Sequence, residues 1–202
     1  MGSVRTPLVI EPATADDIEA LNEIWFTAFA KDAGMMRLFP DTPVLRGWMA
    51  DCHAHDFKNR PYQFYLKVVD PDTKDAQGRP SVVAYGKWDS KTAEFRGPRF
   101  LPWAEETPAD ECTKVFNMLE ANRRRVMGDT LIPSAHSPST ERRGAGSMLV
   151  KWGCDFADKH GLPAYVDASK FGAPLYEKFG FVDRSLPDQG EIASMTRPKT
   201  TA

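Results

Sequence analysis

Apolar and polar positions alternate along the chain in two periods, which divides it into strands and helices in mixed order. Residues 7–12 (Pro-Leu-Val-Ile-Glu-Pro) read as a short strand. Thr14 then caps a helix whose first turn holds Asp16, Asp17 and Glu19, where the helix dipole favours negative charge. Ile18, Leu21, Trp25, Ala28 and Phe29 continue it at helical spacing. A second helix is predicted from about Pro43 to Phe57, with Leu45, Trp48, Met49 and Cys52 on its apolar side. From Tyr62 to Val69 the alternation of Tyr62, Phe64, Leu66 and Val68 predicts a strand. Asp70-Pro71-Asp72 and Gln77-Gly78 bracket a polar hairpin loop, with Ser81 to Trp88 as the return strand. Prolines and glycine between Phe95 and Pro108 exclude regular structure there.

The second half repeats the mixture. Residues 109–127 predict a helix with Cys112, Val115, Phe116, Leu119 and Val126 as its buried stripe and Gly128 as its stop. Leu131 to Ser137 is a weak strand interrupted by Pro133, because proline removes an amide from the ladder. Gly144 to His160 is a helix closed by Gly161, with Met148, Leu149, Trp152 and Phe156 as its buried face. Pro163 to Ala168 is a strand, Pro174 to Lys178 a short helix, and Phe181 onward a last strand pair. Strands and helices in this order imply an α/β or α+β domain around one sheet. The 202 residues suit one domain and bury roughly 70% of their unfolded surface without needing disulfides or metals.

Composition removes several function classes. With 26 Lys+Arg against 28 Asp+Glu, the net charge of −2 gives no general pull toward nucleic acid or anionic membrane. A hydrophobic fraction of 42% is that of a folded chain and not a disordered one. No apolar run approaches a membrane span, and Pro-Leu-Val-Ile is too short for a signal-peptide core. Cys52, Cys112 and Cys154 match no zinc spacing and fit a reducing compartment, most simply the cytoplasm. Met1 to Thr6 matches the loose myristoylation pattern, which a cloning scar or chance would also leave.

Chemistry concentrates in residues 141–156. Two glycines leading directly into a helix leave several backbone N–H groups unpaired and aimed outward, which suits a phosphate or pyrophosphate. Between 123 and 151 six Arg/Lys (123, 124, 125, 142, 143, 151) stand against two acids (129, 141), a local positive surplus in an acidic chain. The bland alternative is that Gly144 and Gly146 only allow a tight turn. On the local pattern alone the two readings stand level. His53 and His55, two apart on a helix, point to different sides and make no metal pair; no metal is expected. His160 is explained by a helix C-terminus, and Arg123-Arg124-Arg125 by a solvated helix face.

The order strand, Arg-Arg-Gly-Ala-Gly, amphipathic helix, strand, then Leu-Tyr-Glu-Lys-Phe-Gly-Phe (175–181) resembles the GNAT superfamily of acetyl-CoA-dependent N-acetyltransferases. The family's Gln/Arg-x-x-Gly-x-Gly/Ala loop falls on residues 141–146, and the resemblance covers about 130–182. The N-terminal helices, the hairpin and the helix at 109–127 are similar to the fungal small-molecule branch. The resemblance implies a mixed, mostly antiparallel central sheet with flanking helices and a splayed central strand pair. It implies acetyl-CoA as acyl donor, with its pyrophosphate on the N–H groups of Arg142, Arg143, Gly144, Ala145, Gly146 and Ser147. Pantetheine would lie along Leu131–Ser137 where that strand splays from Tyr165–Ser169, with Ser169 beside it. The amine of a small molecule would attack the thioester directly, and Tyr176, which would also touch the cofactor, would protonate the departing thiolate. Candidates for the base are Asp89 and Glu94, near the end of the Ser81–Trp88 strand, and His136 on the splayed strand.

Three positions depart from the pattern. Glu141 stands where the family has Gln or Arg, and beside a pyrophosphate it is expected to turn away onto Arg142 or Arg143. Pro133 interrupts the pantetheine strand, and Asp167-Ala168-Ser169 occupies a region where an Asn often holds the cofactor. These departures motivate a second reading, a catalytically impaired acetyl-CoA binder. The glycine loop alone would also serve a non-enzymatic protein for another phosphate ligand. Protein N-terminal acetylation is a lesser variant. Acids at 16–23 and Glu105-Glu106 hint at a cationic acceptor, and the chain is expected as a monomer or homodimer without membrane or nucleic-acid partners.

Overall fold

A computed structural model of the chain describes residues 5–90, 98–128, 134–136, 143–187 and 189–199, and of 134–136 the backbone alone. Strand β1 (Val9–Pro12) leads through a 3-10 turn (Ala15–Asp17) into helices α1 (Ile18–Phe29), α2 (Ala33–Leu38) and α3 (Pro43–Asn59). A hairpin of β2 (Gln63–Lys74) and β3 (Pro80–Asp89) follows, then α4 (Ala109–Met127), β4 (Ser134–His136), α5 (Ala145–Lys159) and β5 (Ala164–Ser169). Helix α6 (Ala173–Glu177) and strands β6 (Val182–Asp183) and β7 (Ile192–Arg197) close the chain. The strands form one sheet in the order β1-β2-β3-β4-β5-β7-β6, antiparallel throughout except for the pair β4 and β5.

The alternation along the strands builds two cores. Leu66, Val68, Ala84, Trp88, Val166, Ala168, Ala193 and Met195 point to one face and pack against α5 and α6. Tyr65 and Tyr85 point to the other face, against Leu21 and Ile24 of α1. Beyond them an aromatic cluster of Phe26, Phe39 and Trp48, flanked by Phe100, Trp103 and Phe116, joins α1, α3 and α4. Each fully buried large side chain contributes about 1.5–3 kcal/mol, so the two cores fix the helices to both faces.

Helix α5 docks differently from its predicted face. Its deepest residues are Ala145, Leu149, Val150, Gly153, Cys154 and Ala157, while Met148, Trp152 and Phe156 are half-buried along one flank. The small residues allow the helix axis to approach the sheet. Gly153 is decisive, because a Cβ there would lie 1.9 Å from the ring of Trp88. Trp152 and Phe156 instead stack on each other and close over Phe64 at the margin.

Two other elements differ from their predicted bounds. α2 was not predicted; Asp32 caps it by accepting from the Met35 N–H at 2.9 Å. β2 runs through Asp70-Pro71-Asp72, and the reversal lies later, where Asp75 accepts from the N–H groups of Gln77 (3.0 Å) and Arg79 (2.8 Å). Asp70 holds its place in the strand because it is buried and paired with Arg143.

Candidate active site

The glycine loop ends at Gly144, whose backbone is left-handed (φ 87, ψ 8), a conformation that favours glycine. The first helical bond of α5 runs from the Met148 N–H to the Gly144 carbonyl at 3.1 Å. The N–H groups of Ala145, Gly146 and Ser147 therefore precede the helical ladder and carry the positive end of the dipole. A Cβ on Gly146 would press on the Leu175 methyl at 3.2 Å, so glycine keeps α6 close against this helix end. Arg143 does not turn its guanidinium toward the loop: it binds the Asp70 carboxylate and, at 2.8 Å, the Thr6 carbonyl. It ties the loop to β2, and the expected turn of Glu141 onto Arg142 or Arg143 falls outside the described residues. Glu141, Arg142 and Pro133 lie outside the described residues, as does Glu94.

Strands β4 and β5 form the one parallel pair of the sheet among the described residues, at Ser134–Tyr165 and Ala135–Val166. The splay expected between Leu131–Ser137 and Tyr165–Ser169 turns on residues that lie outside the described ones. A helix whose first N–H groups are unpaired, packed on the sheet that holds a parallel strand pair, suits a ligand with a phosphate group at one end.

Tyr176 of α6 is buried in the core on the α5 face, its ring edge-on to Phe181 at 5.6 Å. Asp89 ends β3 on the opposite face, buried, where it accepts from the Gln63 amide at 3.2 Å. Only the backbone of His136 is described. Ser169 is exposed, and its hydroxyl accepts from the Gly172 N–H at 3.0 Å, closing the turn into α6.

Sequence reasoning gave Asp167 no role of its own. On β5 it follows Val166, half-buried, and accepts from the Tyr165 hydroxyl at 2.6 Å. Burial pushes its carboxyl up to about 6 against the pull of Tyr165, Arg99 and Arg123, with Glu120 adding to the rise. The only prior signal was an acid at the end of an otherwise apolar strand. Arg123 is buried rather than solvated, clasping Glu120 at 2.6 Å on α4. Arg124 also reaches Glu120, and Arg125 donates to the Arg184 carbonyl at 2.8 Å, but both are exposed, so of the run only Arg123 departs from the solvated face.

A second polar cluster spans α3 and the sheet. Buried Asp56 accepts from the Tyr65 hydroxyl at 2.7 Å, from Arg60 at 3.0 Å and from Lys87. With its proton on Asp56, the Tyr65 hydroxyl accepts from the His53 Nδ1–H at 3.2 Å, leaving Nε2 bare. Burial, with Lys87 nearby, lowers His53 to about 4, so it is neutral. His55 instead contacts Asn59, as the opposite-side reading requires. Three of the six acids offered as a cationic lure are engaged internally: Asp17 by Lys67, Glu23 by Arg46 and Glu106 by Thr42. Cys52, Cys112 and Cys154 are buried and unpaired. Among the described residues no group of three or more His, Cys, Asp or Glu is placed to hold a metal, and no helix is long and apolar enough to cross a membrane.

No protein-family model matches the chain. It is 34% identical over 56 residues to the "probable acyltransferase SID5" of Ajellomyces capsulatus, a match covering 27% of this chain and 41% of that protein. Similarity of structure extends over nearly the whole length. The histone acetyltransferase HPA2-related structure from Corynebacterium glutamicum superposes with a TM-score of 0.58 at 17% identity, covering 98% of this chain and 99% of that one. The paia N-acetyltransferase from Thermoplasma acidophilum, in complex with coenzyme A, superposes with a TM-score of 0.52 at 11% identity over 96% and 99% of the two chains. With its strand order and parallel β4–β5 pair, the chain has the fold of the GNAT acetyltransferases.

Proposed function

We propose that the chain is an N-acetyltransferase that moves an acetyl group from acetyl-CoA to the amine of a small molecule. The observation that carries this reading is the glycine-led helix end at Gly144, in a sheet with a parallel pair, β4–β5, and a fold shared with a coenzyme A complex. Acetyl-CoA supplies an activated acyl thioester. The N–H groups of Ala145, Gly146 and Ser147 are suited to its pyrophosphate, and the same role is proposed for those of Arg142, Arg143 and Gly144. The pantetheine arm then lies along the β4–β5 pair.

The residues around that pair divide the remaining work. Tyr176, on the α5 face, donates a proton to the departing thiolate. The polar residues of the opposite face meet the amine. In this reading the acyl donor lies at the β4–β5 pair, where one ligand can meet groups from both faces of the sheet. Calorimetry with acetyl-CoA, followed by thiol release against an amine panel, tests the reading. Binding with release on at least one amine supports it; binding without release on a broad panel favours an impaired acetyl-CoA binder.

A further inference from the structure

We propose that Asp70 and Arg143 are positioning residues of the acyl-donor loop: their ion pair holds the Gly144 turn in its binding form, and the Arg143 guanidinium itself does not hold the ligand. The inference rests on the acetyltransferase reading and adds two residues to it. Arg143 immediately precedes Gly144, the left-handed residue from which α5 starts. Its guanidinium is shared between two segments distant in sequence. One nitrogen donates to the Asp70 carboxylate of β2, and another, at 2.8 Å, to the Thr6 carbonyl ahead of β1. The same carboxylate accepts from the Asp72 N–H at 3.1 Å. Asp72 in turn accepts from the Thr6 N–H at 2.8 Å and from the Thr6 hydroxyl. Arg143, Asp70, Asp72 and Thr6 thus close a ring that joins the loop to β2 and to the start of the chain. Asp70 is its buried member, 2% exposed, while Asp72 and Thr6 lie at the surface.

The ring accounts for the arginine without a ligand. A buried carboxylate needs a paired cation, and only a planar guanidinium serves a carboxylate and a carbonyl together. Anchoring the Arg143 side chain restricts the backbone that enters the left-handed turn, and the N–H groups of Ala145, Gly146 and Ser147 take their direction from that turn. An anion binds a turn already set without ordering it first. Where the ligand must order about one residue, affinity falls roughly 5- to 30-fold. The two roles open to Arg143 therefore differ in sign for Asp70→Asn. That change keeps the shape of the side chain and an oxygen for the Asp72 N–H, but it presents an amide to the guanidinium and releases it. Release strengthens binding if the guanidinium holds the ligand, and weakens binding if it is a tether.

Calorimetry of the full-length chain with acetyl-CoA reads the sign. D70N and Arg143→Gln should each weaken acetyl-CoA about 5- to 30-fold. The double variant should be within about twofold of the weaker single, because both changes break one contact. KM for acetyl-CoA should rise by the same factor while kcat and the KM for amine stay within about twofold, a split that general loss of structure does not produce. Without ligand, nitrogen-15 order parameters at Gly144 and Ala145 should fall in both single variants while those of β3 hold. Asp72→Ala opens the ring at the surface, leaves no buried charge unpaired, and should weaken acetyl-CoA about two- to fivefold; it keeps the test intact if D70N fails to fold. D70N binding as tightly as wild type or more tightly overturns the proposal. So do order parameters unchanged in D70N and Arg143→Gln, or, where D70N does not fold, wild-type affinity in Asp72→Ala. A wild-type chain that itself binds no acetyl-CoA overturns the acetyltransferase reading, and this proposal with it.

Discussion

Gly153→Ala probes the closest approach in the fold. An added Cβ would lie 1.9, 2.1 and 2.3 Å from three atoms of the Trp88 indole, where ordinary contact begins at 3.4 Å. The shortfall is about 1.5 Å at the nearest atom. Trp88 is fully buried in the core between α5 and the sheet, so its ring has no free space into which to turn. Helix α5 must therefore back away from β3, and the contacts of Leu149, Val150 and Ala157 loosen with it. Overpacking of this kind costs roughly 1–3 kcal/mol, and more where backbone must move; the better helix propensity of alanine returns about 1 kcal/mol. A net loss of about 2 kcal/mol or more is expected, or a Tm lower by roughly 4–8 °C for a chain of this size. Differential scanning calorimetry reads it. Trp88→Phe removes the indole ring fused at that contact, so the double variant should be less destabilised than the sum of the singles. A Gly153→Ala protein as stable as the wild type would refute the reasoning.

The remaining predictions concern the site and the buried titratable groups. Tyr176→Phe should lower thiol release by one or more orders of magnitude while leaving acetyl-CoA affinity nearly unchanged, measured by single-turnover kinetics and calorimetry. Gly146→Asp should weaken acetyl-CoA binding well beyond Gly146→Ala in the same titration, because both press on Leu175 and only the first adds negative charge at the helix end. His53 is held near 4 when folded against about 6.5 unfolded, so its neutral form supplies stability above about pH 6.5 that is lost as pH falls toward 4. The loss is about 3 kcal/mol. Asp167, with its folded value raised, acts with opposite sign between about 4 and 6, so the His53 contribution is read as the difference between wild type and His53→Gln in urea unfolding. A difference that stays flat from pH 7 to 4 contradicts it. In Asp17, burial alone would raise the carboxyl, but Lys67 and the Thr14 donors outweigh it and hold it below the usual value. Asp17→Asn should cost roughly 1–3 kcal/mol at pH 7 and nearly nothing once the pH falls below the carboxyl's depressed titration, followed by chemical unfolding.

The element order was readable because local signals agreed: Thr14 and Pro43 at helix starts, Gly128 and Gly161 with positive φ after helix ends, and clean alternation in β2 and β3. The glycine loop was readable for the same reason, as Gly144 combines a turn with a helix start. What escaped depended on tertiary neighbours. The buried side of α5 follows Gly153 and Trp88 rather than its largest apolar residues, since the closest approach selects the smallest side chains. Asp70 stays in β2 despite Pro71 because Arg143, 73 residues later, holds it there. Arg123 looked like one of three solvated arginines until Glu120 and the neighbouring sheet enclosed it. Asp167 was visible as an acid on an apolar strand, but its contact with the Tyr165 hydroxyl and its proximity to Arg99, Glu120 and Arg123 depend on elements distant in sequence.

The central claim is that the Gly144 helix end, in a sheet with the parallel β4–β5 pair, binds acetyl-CoA. Isothermal titration of the full-length chain with acetyl-CoA tests it most directly. The account predicts saturable binding at one site per chain, abolished or strongly weakened in Gly146→Asp. No detectable heat or thermal shift at roughly millimolar acetyl-CoA would contradict it.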